Sequence, residues 1–208
     1  MNIGILIFPQ VEELDFVGPW ELFSLWQRLE NGPERCLVVA ETLDPVVAAK
    51  GLSLNPHASF STCPPLDVLL VPGGQGTRKE VFNTALVDFI RDQAEGAGAV
   101  LSVCTGAFLL HAAGLLEGRR ATTHWGSLDR LRALGDVEVV EERTTQDGPI
   151  WTSAGVSAGL DLALAFIAER AGEEAAAEVQ LAAEYFPSDI VYGTPSRHPK
   201  APAYLRRS

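Results

Sequence analysis

The sequence predicts a doubly wound α/β sandwich, three layers with a mostly parallel sheet, on three observations. Short, near-continuous apolar runs rich in β-branched residues recur along the chain, as expected of strands buried on both faces of such a sheet. Segments with helical spacing of their apolar residues separate these runs. The chain has 208 residues, the length of one compact domain, since domains run to roughly 100–200 residues.

The strand runs are residues 2–8 (NIGILIF), 35–40 (RCLVVA), 67–72 (DVLLVP) and 99–104 (AVLSVC). Between the first two, residues 20–29 place Leu22, Leu25, Trp26 and Leu29 on one stripe, with Gly18-Pro19 marking the helix start. Residues 84–94 do the same with Leu86, Phe89 and Ile90. After Cys104, TGAFLLHAAGLL reads as a helix stopped by Gly118, and residues 155–171, with Leu160, Leu164 and Ile167, as another. Two shorter β-like pieces lie between them, 137–142 (VEVVEE) and 149–153 (PIWTS), divided by the turn signal Gln146-Asp147-Gly148. The Ala/Glu-rich stretch around 175–177 reads as a surface helix. This order predicts one domain over residues 1–194. Residues 195–208, with three prolines, four basic residues and no acid, form a tail outside the core.

Composition narrows the function. Hydrophobic residues make up 47% and charged residues 21%, which excludes disorder for the bulk of the chain. Sixteen Lys+Arg against 27 Asp+Glu give −11, a balance that repels phosphate backbones and argues against nucleic acid. Cys36, Cys63 and Cys104 form no CxxC pair, and their odd number leaves a free thiol, as expected in a reducing compartment. The first apolar run is too short for a signal or a membrane span. The expectation is a cytoplasmic enzyme or binding protein for a small molecule, with no membrane partner.

In open α/β sheets the functional crevice lies beyond the carboxyl ends of the strands. There Ser102-Val103-Cys104-Thr105-Gly106 runs from strand to helix with a nucleophile at the turn, the arrangement of a nucleophile elbow with Cys in place of Ser. A helix N-terminus favours thiolate, so the Cys104 pKa is expected to fall below that of a free cysteine. A buried, inert cysteine at a strand end is the competing reading, and Cys36 and Cys63 fit it better. After the third strand, Pro72-Gly73-Gly74 offers the backbone N–H of Gly74, with that of Thr105, to a developing negative charge. A plain turn explains the same glycines.

After the first strand, Glu12, Glu13 and Asp15 form an acidic loop that reaches this crevice if the first and fourth strands are neighbours. Asp15, flanked by Leu14 and Phe16, is the acid expected against apolar packing, where burial beside a thiolate raises a carboxyl pKa toward neutrality. A helix-capping acid is the alternative. His124, in Thr122-Thr123-His124-Trp125, is either a base for Cys104 or a hydrogen-bonded structural histidine.

Taken together, the acidic loop, the PGG turn, the Cys-Thr-Gly elbow, TTHW and the segment 153–159 (SAGVSAG) resemble the ThiJ/PfpI superfamily, relatives of class I glutamine amidotransferases. The resemblance spans residues 2 to about 185, and LDFVGP, SVCTG and RRATTHW are most similar to its isonitrile hydratase branch. It implies a flavodoxin-like sandwich, a homodimer, Cys104 as nucleophile, Asp15 as its acidic partner and Thr105 beside them, with no metal or organic cofactor. Thr105 stands where the protease and glyoxalase-like branches often place His, which excludes a Cys-His dyad formed that way. Regulators with such a domain add a helix-turn-helix module, for which the residues after Tyr185 are expected to leave no room. The activity implied is hydration of an isocyanide. The alternatives are a glyoxalase- or deglycase-like carbonyl reaction and a cysteine that senses oxidation.

Overall fold

A computed structural model describes residues 1–187 and 191–206. Five helices pack on the two faces of a seven-stranded sheet. In chain order the elements are β1 (Asn2–Leu6), α1 (Glu13–Trp26), β2 (Arg35–Ala40), the hairpin β3 (Val46–Val47) and β4 (Ser53–Leu54), β5 (Ala58–Ser59), β6 (Val68–Val71), α2 (Thr77–Glu80), α3 (Thr84–Gly96), β7 (Ala99–Val103) and α4 (Gly106–Ala112). Then come β8 (Arg120–Ala121), α5 (Leu128–Arg132), β9 (Glu138–Val139), β10 (Thr144–Asp147), β11 (Ile150–Ser153), α6 (Ala158–Ala171) and α7 (Glu173–Ala182).

The main sheet has the order β10-β11-β7-β6-β1-β2-β5. Every pairing in it is parallel except the β10–β11 hairpin. Helices α1, α6 and α7 pack together on one face, and α3 with α4 on the other. This is the predicted three-layer sandwich, and the four long apolar runs are its strands β1, β2, β6 and β7. β6 and β7 are buried at every position, as two covered faces require.

Four details differ from expectation. Helix α1 begins at Glu13 rather than Trp20, and Pro19 lies inside it. Proline suits a first helical turn, which is why the sequence suggests a later start. β1 and β7 are not neighbours, because β6 lies between them. The 137–142 piece contributes only Glu138–Val139, paired with Arg120–Ala121 outside the main sheet. The hairpin partner of β11 is instead the polar run Thr144–Asp147, an edge strand that needs no apolar pattern. Helix α4 also stops at Ala112, before Gly114 at φ 80°, not at Gly118.

Between the sheet and α1/α6 lies an aromatic layer. The Phe166 ring meets Trp151, Phe23 and Trp26 edge-on, at centroid distances of 5.7, 6.2 and 6.5 Å. Such pairs add about 0.5–1.5 kcal/mol beyond their area burial. The C-terminal segment lies on the α5 side: Ala201 is buried, the Ala203 N–H donates to Glu141 Oε2 at 2.7 Å, and Lys200 reaches Asp129 at 3.3 Å. Arg207 and Ser208 of the predicted tail lie outside the described residues. Among the described residues, no helix is long and apolar enough to cross a membrane.

Topology positions the site. The chain leaves β1 toward β2 on one side and returns to β6 on the other, so the loops after β1 and β6 diverge at their carboxyl ends, where such sheets bind ligands. These loops are joined by backbone bonds. Val11 bridges Gly74, the Glu12 N–H donates to the Gly73 carbonyl at 2.9 Å, and the Gly76 N–H to the Gln10 carbonyl at 3.1 Å.

Candidate active site

Cys104 sits at the end of β7 with φ 57°, a left-handed conformation that a non-glycine residue adopts at a cost of about 1–3 kcal/mol. Its backbone is fixed from three sides. The N–H donates to the carbonyls of Ser153 (3.2 Å) and Ala154 (3.0 Å), and the carbonyl accepts the Thr123 hydroxyl at 2.7 Å. The side chain is only 6% exposed. The backbone N–H groups of Thr105 and Val156 and the Thr105 hydroxyl favour its thiolate. Val156 has φ 45°, a rare state for a β-branched residue, and so stores strain beside the sulfur.

Asp15 arrives from the first turn of α1 and is fully buried. Oδ2 accepts the Gly73 N–H at 2.8 Å, while Oδ1 has no hydrogen-bond partner in the protein. Burial raises the carboxyl to about 7, opposed by the Gly73 N–H; the charge of Glu12 raises it further, and Cys104 and Lys50 lower it. Gly73 has to be glycine, because a Cβ there would lie 2.5 Å from the Thr105 nitrogen and 2.9 Å from Asp15 Oδ2. The acid therefore reaches the thiol without β1 adjoining β7. The joined loops and the early start of α1 carry it across β6.

The thiol corrects an expectation. Burial, with the charge of Asp15, pushes Cys104 up to about 12 instead of below the ordinary value. Helix α4 has seven residues and its N–H groups favour thiolate, but desolvation beside a carboxyl outweighs them. Cys36 and Cys63 are also raised by burial, to about 12 and about 11. At neutral pH the Cys104–Asp15 pair holds between one and two protons, and these belong to the pair jointly.

Gly74 is oriented differently from expectation. Its N–H donates to Thr105 Oγ1 at 3.0 Å, so it is not open to a substrate anion. Thr105 is held in turn by Thr77, whose hydroxyl lies 3.2 Å from Thr105 Oγ1 and donates to the Gly74 carbonyl at 2.8 Å. His124 packs against Gly155, where a Cβ would sit 2.2 Å from its Cδ2. Its Nδ1 accepts the Gly126 N–H at 3.1 Å, and burial lowers its pKa. The neutral ring therefore carries its proton on Nε2 and presents a donor, not a base. Gly73, Val156 and Thr77 join the site without being singled out by sequence. Gly73 and Val156 fall inside motifs that were visible, but Thr77 carries no signal.

Among the described residues, no group of three or more His, Cys, Asp or Glu is placed to hold a metal ion. A cleft of about 700 Å³, walled by Phe8, Val46, Phe82 and Leu86 among others, includes neither Cys104 nor Asp15. The chemistry favours the closed pair over the open cleft. A strained thiol, a buried acid raised to about 7 and two N–H groups aimed at sulfur are the groups that nucleophilic attack with proton delivery requires.

Comparison with known proteins is consistent with this arrangement. The profile of the DJ-1/PfpI family matches residues 1–169. Isonitrile hydratase of Pseudomonas putida is 42% identical over 202 residues, covering 97% of this chain and 86% of that protein. Among solved structures, a ThiJ/PfpI family protein from Pseudomonas syringae superposes with a TM-score of 0.85 at 36% identity, covering 99% of this chain and 82% of that one. Drosophila melanogaster DJ-1beta shares the fold, with a TM-score of 0.78 at 20% identity over 89% of this chain and 98% of that one.

Proposed function

The chain belongs to the DJ-1/PfpI family, and from that premise we propose that it is an isonitrile hydratase-type lyase that converts an isocyanide and water into an N-substituted formamide. The observation that carries this reading is the buried pair of Cys104 and Asp15, the latter with a carboxyl raised to about 7. An isocyanide carbon accepts a nucleophile only as it gains a proton, so sulfur and acid must serve the same atom.

In the singly protonated pair, Asp15 takes the thiol proton as the substrate enters. Sulfur then bonds to the isocyanide carbon while Asp15 returns that proton to the carbon, giving a thioimidate. Water adds to its C=N bond: oxygen bonds to carbon, one water proton goes to nitrogen and the other leaves through Asp15. The C–S bond breaks as the formamide carbonyl forms, and sulfur recovers its proton. The N–H groups of Thr105 and Val156 hold the sulfur whenever it is negative. His124 supports the site as a donor through Nε2, and Thr105 positions Gly74 and the sulfur.

A linear isocyanide also suits a thiol that is 6% exposed. The same burial and raised thiol weaken the oxidation-sensor reading, because thiolate character and exposure govern oxidation. The homodimer and the cytoplasmic location belong to this proposal. The test is a panel of isocyanides beside methylglyoxal, followed by nuclear magnetic resonance. Steady formamide production, lost in Cys104→Ala, is the expected result; turnover of methylglyoxal alone overturns it.

A further inference from the structure

On the α4 side of the site lies a cleft of about 400 Å³ whose walls include Thr77, Arg78, Phe82, Phe108, His111 and Arg130. In a chain of net charge −11, two arginines converge on it. Among the described residues neither forms an ion pair with a carboxylate. Arg78 is braced by the side-chain carbonyl of Gln75. Arg130 sits over Phe108, its Cζ 3.7 Å from the ring centroid. Stacking restrains a guanidinium while leaving its in-plane N–H groups free, the geometry that receives a carboxylate edge-on. The other titratable group of the cleft, His111, is engaged by Asp136 at 3.0 Å.

The cleft adjoins the reacting pair. Thr77 on its wall contacts Thr105, and the Phe108 N–H donates to the Thr105 carbonyl at 3.1 Å within the first turn of α4. The charges of both Arg78 and Cys104 are felt at Arg130, whose pKa is lowered first by burial and then by Arg78. Two like charges lining one cleft, neither paired with a carboxylate among the described residues, are relieved by an anion.

We propose that Arg78 and Arg130 form a carboxylate subsite, so that the molecules processed at Cys104 carry an acid group on the arm beyond nitrogen. This rests on the isocyanide reading for the reacting end and on the arginine cleft for the other end. An apolar or aromatic arm lies along Phe108 and Phe82 between them.

The two halves are tested separately. Calorimetry on the intact protein compares 4-formamidobenzoate with its methyl ester. The acid is expected to bind at least about tenfold more tightly, about 1.4 kcal/mol. Arg78→Gln and Arg130→Gln each reduce that preference, the double substitution removes it, and Arg130→Lys keeps part of it, which loss of packing on Phe108 would not do. Equal binding of acid and ester, binding of neither, or a preference that survives the double substitution overturns the subsite. Hydration of methyl 4-isocyanobenzoate is followed in parallel. A protein that selects the acid through its arginines yet hydrates no isocyanide supports the subsite and refutes the reaction.

Discussion

The two ends of α1 are built on opposite principles. Its last turns place Phe23 and Trp26 in the aromatic layer against Phe166, where the rings meet edge-on and the Arg170 guanidinium lies over the Phe166 ring, 5.4 Å from its centroid. Its first turn buries Asp15, an acid with an unpartnered oxygen beside a strained cysteine. One end lowers the free energy of the fold and the other raises it. Stability and reactivity thus sit in separate turns of a single helix, and substitutions at the two ends should move stability in opposite directions.

Asp15→Asn is the strongest way to break this contrast. General acid catalysis contributes about 10²–10⁴-fold, so turnover should fall by at least about two orders of magnitude. The thiol pKa of Cys104 should fall, because a neighbouring negative charge is gone. Stability should rise. Between the ordinary carboxyl value of 3.8 and about 7, folded Asp15 keeps a proton that the unfolded chain has released, so stability falls as pH climbs through that window. The full penalty above pH 7 is on the order of 4 kcal/mol. Formamide production, ultraviolet thiolate titration and urea melts at pH 5 and pH 8 check the three signs. A variant less stable than wild type at pH 8 would overturn the comparison.

At the other end, Phe166→Ala removes the ring shared by Trp151, Phe23 and Trp26 and should cost about 3–5 kcal/mol of unfolding free energy. The remaining folded fraction should turn over normally. A selective loss of kcat would show that the aromatic layer positions Asp15. A third experiment sharpens the contrast without substitution in the core. kcat/KM should rise with pH through an apparent pKa of about 7, as the pair loses its second proton, and the step should vanish in Asp15→Asn. The smallest effect belongs to Lys50→Met. Lys50 pairs with Glu12 and Glu13 and lowers the Asp15 carboxyl from outside, so its loss should move that apparent pKa slightly upward.

Legibility in the sequence follows the same division. The inner strands are readable because burial on both faces leaves them mostly apolar, with Ser102 the one buried polar residue within β6 and β7, and Cys104 is readable because a nucleophile at a strand-to-helix turn has a local signature. Thr144–Asp147 is not, since an edge strand tolerates four polar residues. The start of α1 is masked by Pro19. At the site, residue types were visible but directions were not. Gly74 offers an N–H whose aim depends on a φ of 130°. The Cys104 thiol takes its sign from burial and from the charge of Asp15, a residue nearly ninety positions earlier in the chain.

The bonds joining Gln10–Glu12 to Gly73–Gly76 have a practical meaning for engineering. Each loop supplies the other's hydrogen-bond partners, so neither is a separable module. A graft of the acidic loop alone onto a related scaffold would arrive without the backbone that aims its carboxylate, and the glycine turn alone would have nothing to aim. Recombination libraries should therefore place their crossovers outside residues 9–76, inheriting both loops from a single parent.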